Sequence, residues 1–312
     1  MTIKLKFDGF YDDFKYENNP FIKYLIDNEF ISIDEEYPEL IIYGEDFNKF
    51  KKLEKKKILF KVENIPYNDW DFKYKISYNI DDKYNFFLIN FFYYPYFQDY
   101  LNNDLSKSFL NLKNKKKTKY LNFICSNPYG KLRNKYIDFL CEKKIKFDSL
   151  GKYRNNKKFF EDPNQDNKIN KIKEISNYKY TIAFENSYNK NYISEKIWEP
   201  LSVNSIPIYH GGELVFQIFN KKKFIYVNSR TDFTESIKQI SKIDNSLDFY
   251  NEILNEDIFI NQEIKLNYKF NIIAKKFYNF LKEVINDKDI KVQSKYINRF
   301  KFLYNKFLRS FI

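Results

Sequence analysis

Residues 184–201 read FENSYNKNYISEKIWEPL, and their types and order suit one kind of chemistry. A strand-like run, YTIAF, enters a polar loop, and the loop leads into an amphipathic segment with helical spacing. Ser194 stands where a helix N-cap belongs, which makes Glu195 and Lys196 the first two helical residues. A helix start presents unpaired N–H groups and a partial positive charge, and a diphosphate is a natural guest there. Lys196 adds a full charge. Glu195 is poorly suited to phosphate but well suited to accept hydrogen bonds from sugar hydroxyls. A nucleotide sugar offers both groups. An acid in a first helical turn also occurs for dipole reasons alone, so the rest of the chain has to discriminate.

The chain narrows the chemistry by what it lacks. His210 is its one histidine, which excludes a multi-histidine metal centre and an HExxH zinc site. Nothing beside His210 suggests a nucleophile, so it reads as a turn residue without a role. Cys125 and Cys141 form no CxxC and read as small buried apolar residues in a reducing compartment. Acid–base work therefore falls to carboxylates, with Lys or Tyr as lesser options. The net charge is +12, yet lysines are scattered among acids, so nucleic acid is not an expected partner. The densest basic run, LKNKKKTKY, reads as a solvated connection. The polar start MTIKLKFDGFYDDF shows no secretory signal. The apolar run FFLINFFYYPYF is too short to span a bilayer, and it reads as a buried strand or pocket wall. A cytoplasmic protein, peripheral at most to a membrane, is the expectation.

At 312 residues and 43% hydrophobic content, the chain can build two domains with substantial cores. IKLKF (3–7), ELIIYG (39–44) and KILFKVEN (57–64) read as strands, and NPFIKYLIDNEF (19–30) as a helix. Such alternation predicts an α/β fold with a mainly parallel sheet. The polar, basic stretch 102–118 marks a boundary, giving domains 1–110 and 111–285 and a basic amphipathic helix over 286–312. In the second domain KYLNFICSNP (119–128) is a strand ending in a turn, and 131–145 a helix with Leu132, Tyr136, Phe139 and Leu140 on one side. An irregular loop over 151–170 follows, then YTIAF, a helix over 194–203, and the strands SIPIYHGG and FIYV. The C-terminal ends of parallel strands are where α/β sheets place ligands. In the last segment Tyr296, Phe300, Tyr304, Phe307 and Phe311 share one helical face among basic residues. That face either packs on the body or lies on an anionic membrane surface.

FENSYNKNYISEKIWEPLSVNSIPIYHGG resembles the signature of the α-1,3-fucosyltransferases, glycosyltransferase family 10. The shared pattern is FENS, a short spacer, Y-(I/V)-(S/T)-E-K, a helix, then a P-(I/V) strand and a small-residue turn. FICSNPYGKLRNKYIDFL (123–140) resembles the family segment in which an S-N-P turn precedes an R-N helix. FKVENIPYNDWDFKYKISYN (60–79) resembles an N-domain segment with a glutamate–asparagine pair, a proline and an aspartate–aromatic run. The resemblance implies a GT-B fold, two Rossmann-like domains facing a cleft, with an acceptor side at the N-terminus and GDP-fucose held by the C-terminal domain. It implies inverting transfer of fucose to a hydroxyl of a glycan acceptor, α-1,3 to a GlcNAc- or Glc-type residue, without a required metal. Arg133, Tyr192, Glu195 and Lys196 stand at the family's donor-binding positions, Glu185 and Asn186 line the donor side, and Glu63 stands at the proposed general base. Asp69-Trp70-Asp71 and Asp287-Lys288-Asp289 match the D-x-D metal–nucleotide pattern of a different glycosyltransferase fold, although Asp71 also matches a family aspartate. The alternatives are another nucleotide sugar on the same fold, or a basic nucleic-acid-binding protein.

Overall fold

The strand- and helix-forming segments assemble into two parallel sheets, each within its own unit. In the computed structural model, residues 2–12, 14–45, 56–61, 64, 72–102, 111–158, 163, 166–228 and 233–288 are described. One unit comprises Met1–Asn102 with Leu266–Ile312, the other Asn103–Lys265. No helix among the described residues is long and apolar enough to cross a membrane.

In the first unit β1 (Ile3–Asp8) leads through a loop to α1 (Pro20–Asp27). Asn19 caps that helix, its side chain accepting from Phe21 N at 3.0 Å and Ile22 N at 3.2 Å, with Pro20 at the first helical position. The strands β2 (Ile31–Ile33), β3 (Leu40–Tyr43), β4 (Lys57–Lys61), β5 (Tyr74–Ser77) and β6 (Asn85–Phe87) complete a parallel sheet in the order β2-β1-β3-β4-β5-β6. Leu5, Leu40, Ile58, Leu59 and Ile76 are its buried centre. The run over 86–97, expected as a buried strand or a pocket wall, is strand only at its start, and its Leu88, Phe92 and Tyr93 line an apolar cavity. Only Asn85–Phe87 pairs, the chain then turns, and Pro95 opens α2 (Pro95–Asn102). Proline suits a first helical position because the donor it lacks would be unused there.

The second unit starts with β7 (Lys119–Phe123), α3 (Lys131–Glu142) and β8 (Asp148–Ser149). Next come α4 (Asn167–Ile175), β9 (Tyr178–Phe184), α5 (Glu195–Ser202), β10 (Ile206–His210), α6 (Val215–Ile218) and β11 (Ile225–Tyr226). Part of the expected loop over 151–170 is thus helical. Asp166 caps α4 by accepting from Lys168 N, and Ile172 and Ile175 are buried. Helices α7 (Thr234–Asp244) and α8 (Leu247–Asn255) follow. The sheet order is β11-β10-β9-β7-β8, all parallel. Its first strand, β7, therefore has the second on one side and the third on the other. The order reverses between β7 and β9, and in such sheets the crevice for a ligand opens at the carboxyl ends of those two strands. Cys125 belongs to this core, whereas Cys141 is exposed and not the buried residue its neighbours suggested.

After a short α9 (Gln262–Asn267), the chain enters α10 (Phe270–Asn286), which belongs to the first unit. The sequence placed residues up to 285 with the second domain. The apolar stripe Ile273, Ala274, Phe277, Phe280, Leu281 and Val284 is plain in the sequence, but its partners are aromatics of the first unit. Phe277 meets Phe86 at 5.1 Å between ring centroids, and Phe280 meets Tyr74 at 5.9 Å. Asp287 then accepts from Tyr74 Oη at 2.6 Å and Lys73 Nζ at 2.5 Å, which anchors the helix end. One acid of the second D-x-D is thereby a structural partner. Residues 69–71 and 295–312 lie outside the described residues.

Candidate active site

The loop after β7 and the loop after β9 form the two sides of the crevice. In the first, Asn127 makes a tight turn, its Oδ1 accepting from Tyr129 N at 2.8 Å, and Asn134 donates back to Pro128 O at 2.7 Å. Helix α3 then starts, and Arg133 points back over the turn. Its guanidinium donates to Asn127 O and, across the crevice, to Asn186 Oδ1 at 2.5 Å. Arg133 is only 2% exposed, and its Nε is buried with no hydrogen-bond partner. Burial lowers its pKa, while the fields of Cys125, Tyr153 and Glu185 oppose that shift. Gly130 makes room: a Cβ there would lie 2.7 Å from Arg133 Cζ. Apart from the resemblance, Arg133 reads in the sequence as a solvated helix residue or a salt-bridge partner. The structure makes it a buried cation holding one unsatisfied donor.

On the other side, Glu185 and Asn186 follow directly on β9. The Glu185 side chain is fully buried, with 0% exposure. It accepts from Ser194 N at 2.8 Å (Oε1) and from Ser194 Oγ at 2.7 Å (Oε2), and Tyr209 Oη donates to Oε1 at 3.3 Å. Ser194 is also the N-cap of α5, its Oγ accepting from Lys196 N at 3.4 Å and Lys196 Nζ at 3.0 Å. Lys196 Nζ lies 3.4 Å from Glu185 Oε2 and 3.3 Å from Glu195 Oε1. One turn on, the buried Glu199 pairs with Lys171 of α4 at 2.5 Å. Three carboxylates and two ammonium groups thus surround the start of α5.

Their proton affinities follow from that crowding. Burial raises the pKa of Glu185, Lys196 opposes the rise and Glu195 adds to it. Burial also raises Glu199, against the pull of Lys171. For Glu195 burial is outweighed by Lys196 and Lys171, which hold its carboxyl well below the usual range. Lys196 loses some affinity to burial but gains more from Glu195 and Glu185, so it stays charged. Tyr209 is pushed far up by burial and by Glu185.

The loop between Asn186 and Ser194 is held from β10. Gly212 N donates to Tyr192 O at 3.1 Å and Leu214 N to Lys190 O at 2.9 Å. A Cβ on Gly212 would come within 2.5–2.7 Å of the carbonyl oxygens of Asn189, Tyr192 and Lys190. Tyr192 itself is 5% exposed. His210 ends β10 instead of lying in a turn. It is buried, with Nδ1 2.8 Å from Val227 O, and burial lowers its pKa. Helix α5 is fixed below by Trp198 and Ile197, both fully buried, and ends where Asn204 takes a left-handed conformation, φ 55.

Of the residues singled out in the sequence, Arg133 and Asn186 meet directly, as do Glu185, Glu195 and Lys196. Tyr192 lies buried in the loop that joins the two groups. Glu63 falls outside the described residues. Sequence reasoning missed Gly130, Gly212, Tyr209 and the Lys171–Glu199 pair. Only Glu199, one helical turn after Glu195, carried a visible signal. Among the described residues no group of three or more His, Cys, Asp or Glu side chains is placed to hold a metal ion.

Comparison with known proteins supplies the family. An α-(1,3)-fucosyltransferase of Helicobacter pylori is 31% identical over 121 residues, 39% of this chain and 25% of that protein. A GDP-fucose protein O-fucosyltransferase 3 of Xenopus laevis is 34% identical over 74 residues, 22% of this chain and 16% of that protein. The matched stretches therefore span a quarter or less of these relatives. A crystal structure of an α1,3-fucosyltransferase with GDP superposes with a TM-score of 0.73 at 22% identity, covering 93% of this chain and 92% of that one. A structure with GDP-fucose gives 0.73 at 21% identity, with the same coverage. The fold is accordingly the GT-B type that the resemblance implied. A model described as glycosyltransferase family 10 (fucosyltransferase) C-term matches residues 114–286, more than half of the chain. With the crevice motifs inside that match, the chain belongs to glycosyltransferase family 10, the fucosyltransferases.

Proposed function

We propose that the protein moves L-fucose from GDP-fucose to a hydroxyl of a glycan acceptor, in α-1,3 linkage to a GlcNAc- or Glc-type residue. One observation carries this: at the sheet's reversal point a buried guanidinium with an unpaired Nε bonds Asn186, in the loop that leads to the start of α5, where Lys196 stands. The diphosphate takes the N-terminus of α5, where free N–H groups and the helix dipole favour it. Negative charge grows on the departing diphosphate, and Arg133 as a fork and Lys196 as a point charge stabilise it, each by about 2–4 kcal/mol. These two cations fill the role a divalent ion would otherwise take, so no metal is required. Glu195 accepts hydrogen bonds from hydroxyls of the donor, and Tyr192 and Asn186 shape the loop beside it.

Transfer proceeds by a single displacement with inversion. A carboxylate takes the acceptor's proton as that oxygen attacks the anomeric carbon from the face opposite GDP. Glu63 is the base that the resemblance assigns. The partners are the donor and a glycan acceptor. The basic aromatic face of 295–312 is left to either peripheral membrane contact or packing on the body, and nucleic acid is not among the proposed partners. The test is GDP release from GDP-fucose with lactosamine-type acceptors, beside a panel of other nucleotide sugars and a peptide acceptor. Turnover confined to GDP-fucose with a glycan supports the proposal. Release only with another donor or only with the peptide rejects it. Glu63→Gln should abolish transfer and keep GDP binding, and full activity in that variant rejects Glu63 as the base.

A further inference from the structure

The family motif places Glu185 on the donor side, but its side chain is sealed from solvent, with both oxygens turned into the protein. We propose that Glu185 is a positioning residue that holds Lys196 at the helix start in the empty site and takes up one proton from solvent when the donor diphosphate draws Lys196 away. The inference rests on the donor site proposed above. It follows from a count of charges around one carboxylate.

Glu185 faces charged or titratable groups from every element packed on it. From α5 these are Glu195 and Lys196, from β10 Tyr209, and from α3 Arg133, whose field it shares. Only Lys196 gives it a neutralising ion pair. Ser194 N, Ser194 Oγ and Tyr209 Oη are neutral donors fixed by the backbone and the sheet. Arg133 is already committed to Asn127 and Asn186. The Lys196 side chain is 23% exposed, and its ammonium serves Glu185 and Glu195 at once. A diphosphate at the α5 N-terminus recruits it by drawing Nζ off Oε2.

Once that contact opens, a fully buried carboxylate is left with neutral donors while more negative charge arrives beside it. A buried charge without a partner neutralises instead of persisting. Glu195 is already ionised, and Tyr209 holds its proton more tightly than free tyrosine, so neither can supply one. The proton comes from water and sits on Oε2. Ser194 Oγ, which donated to that oxygen, now accepts from it and turns its own hydrogen toward the phosphate. The balance is one protein, one donor and one proton giving one protonated complex. No bond other than O–H forms.

Calorimetric titration of the protein with GDP-fucose, in MOPS and in Tris at about pH 7.5, counts the proton from the dependence of heat on buffer ionisation enthalpy. GDP-fucose is the right probe because neither of its phosphates is a terminal monoester titrating near pH 6. Uptake approaching one proton is expected, with Kd rising up to tenfold per pH unit above neutrality. Glu185→Gln, which copies the protonated form, should bind with no proton change and a flat pH profile. A protonated-carboxyl band in the infrared difference spectrum of the native protein on donor binding gives a reading that no variant's folding can confuse. Binding without proton uptake overturns the inference and leaves the donor site standing. Uptake that persists in Glu185→Gln overturns the assignment to Glu185. Absence of GDP-fucose binding overturns both.

Discussion

Replacing Gly130 by alanine is a stringent test of the crevice, because it touches Arg133 and little else. Gly130 caps α3 with φ -71 and ψ 93, a conformation open to any residue, so the backbone is not strained. The new Cβ would lie 2.7 Å from Arg133 Cζ, 2.8 Å from Nη2 and 3.0 Å from Nε. Carbon contacts settle at about 3.5–4.0 Å, so the guanidinium must retreat by about 1 Å. It is the free end of a flexible side chain and can do so. Its bonds to Asn186 and Asn127 then break. Two hydrogen bonds to a charged group are worth about 1.5–3 kcal/mol each, while alanine recovers about 0.4–1 kcal/mol by restricting the unfolded chain. A net loss of about 2–5 kcal/mol is the upper range, since the displaced group regains water. Each kcal/mol lowers Tm by about 2–4 °C in a unit of this size. Catalysis should suffer more. Withdrawing one cation from the leaving diphosphate costs about 2–4 kcal/mol, a fall in kcat of about thirty- to a thousandfold. Steady-state GDP release gives that number, and a thermal melt shows that the variant is folded. A folded Gly130→Ala protein with kcat within about threefold of the parent refutes a leaving-group role for this guanidinium.

Three further outcomes follow from the same geometry. Gly212→Ala drives a Cβ against three carbonyl oxygens that cannot swing aside, so the loop over 189–192 must shift; GDP-fucose affinity by calorimetry should fall at least about tenfold, and unchanged affinity would separate this loop from the donor site. Lys171→Met strands Glu199, whose side chain is 2% exposed, at a cost of up to about 3–5 kcal/mol at neutral pH. A stranded buried carboxyl has a folded-state pKa above its unfolded value, so the native state binds more protons, and the deficit seen in urea melts should widen as pH rises above about 4.3. Lys223 has the opposite balance. Burial first, then Lys113, lowers its pKa from 10.5 to about 8, so the unfolded chain binds more protons between those values; the native protein should gain stability over Lys223→Met as pH rises through that window, and parallel curves would contradict it.

What the sequence disclosed depended on whether the signal was local. The start of α5 was legible because a serine N-cap, an acid and an apolar spacing sit within a few residues, and the surrounding motif resembles a known signature. Helix α4 carried local signals too, Asp166 and the spacing of Ile169, Ile172 and Ile175, but its start was read as loop in a lysine- and asparagine-rich stretch. The burial of Arg133 was not local information. It needs the small Gly130, the carbonyl of Asn127 and an asparagine 53 residues further on. The same holds for α10, whose apolar stripe is evident but whose partners lie some 200 residues earlier on another sheet. Glu185 shows both sides. Its place in FENS was plain, and its isolation from water became visible only once Ser194 and Tyr209 closed over it.

Topology by itself does not choose the site. The first unit's sheet also reverses, between β1 and β3, so the strand order offers a second crevice of the same kind. There the chain after β1 supplies Phe10 and Phe14, stacked at 4.1 Å, with Phe7 against Phe10 at 5.9 Å. The space among them and Phe21, Ile42 and Phe60 is an apolar cavity of about 50 Å³. A diphosphate would lose its water there to a lining that is almost wholly aromatic and aliphatic and holds no cationic side chain, which is prohibitive for a charged group. At the reversal in the second unit, the residues after the strands are an asparagine turn, a guanidinium and the capped start of a helix. The parallel sheets create two equivalent openings. Among the described residues, the side chains at the second rim are the ones suited to an anion, and this is why binding of the donor is assigned to residues of the second sheet's loops and not to the fold.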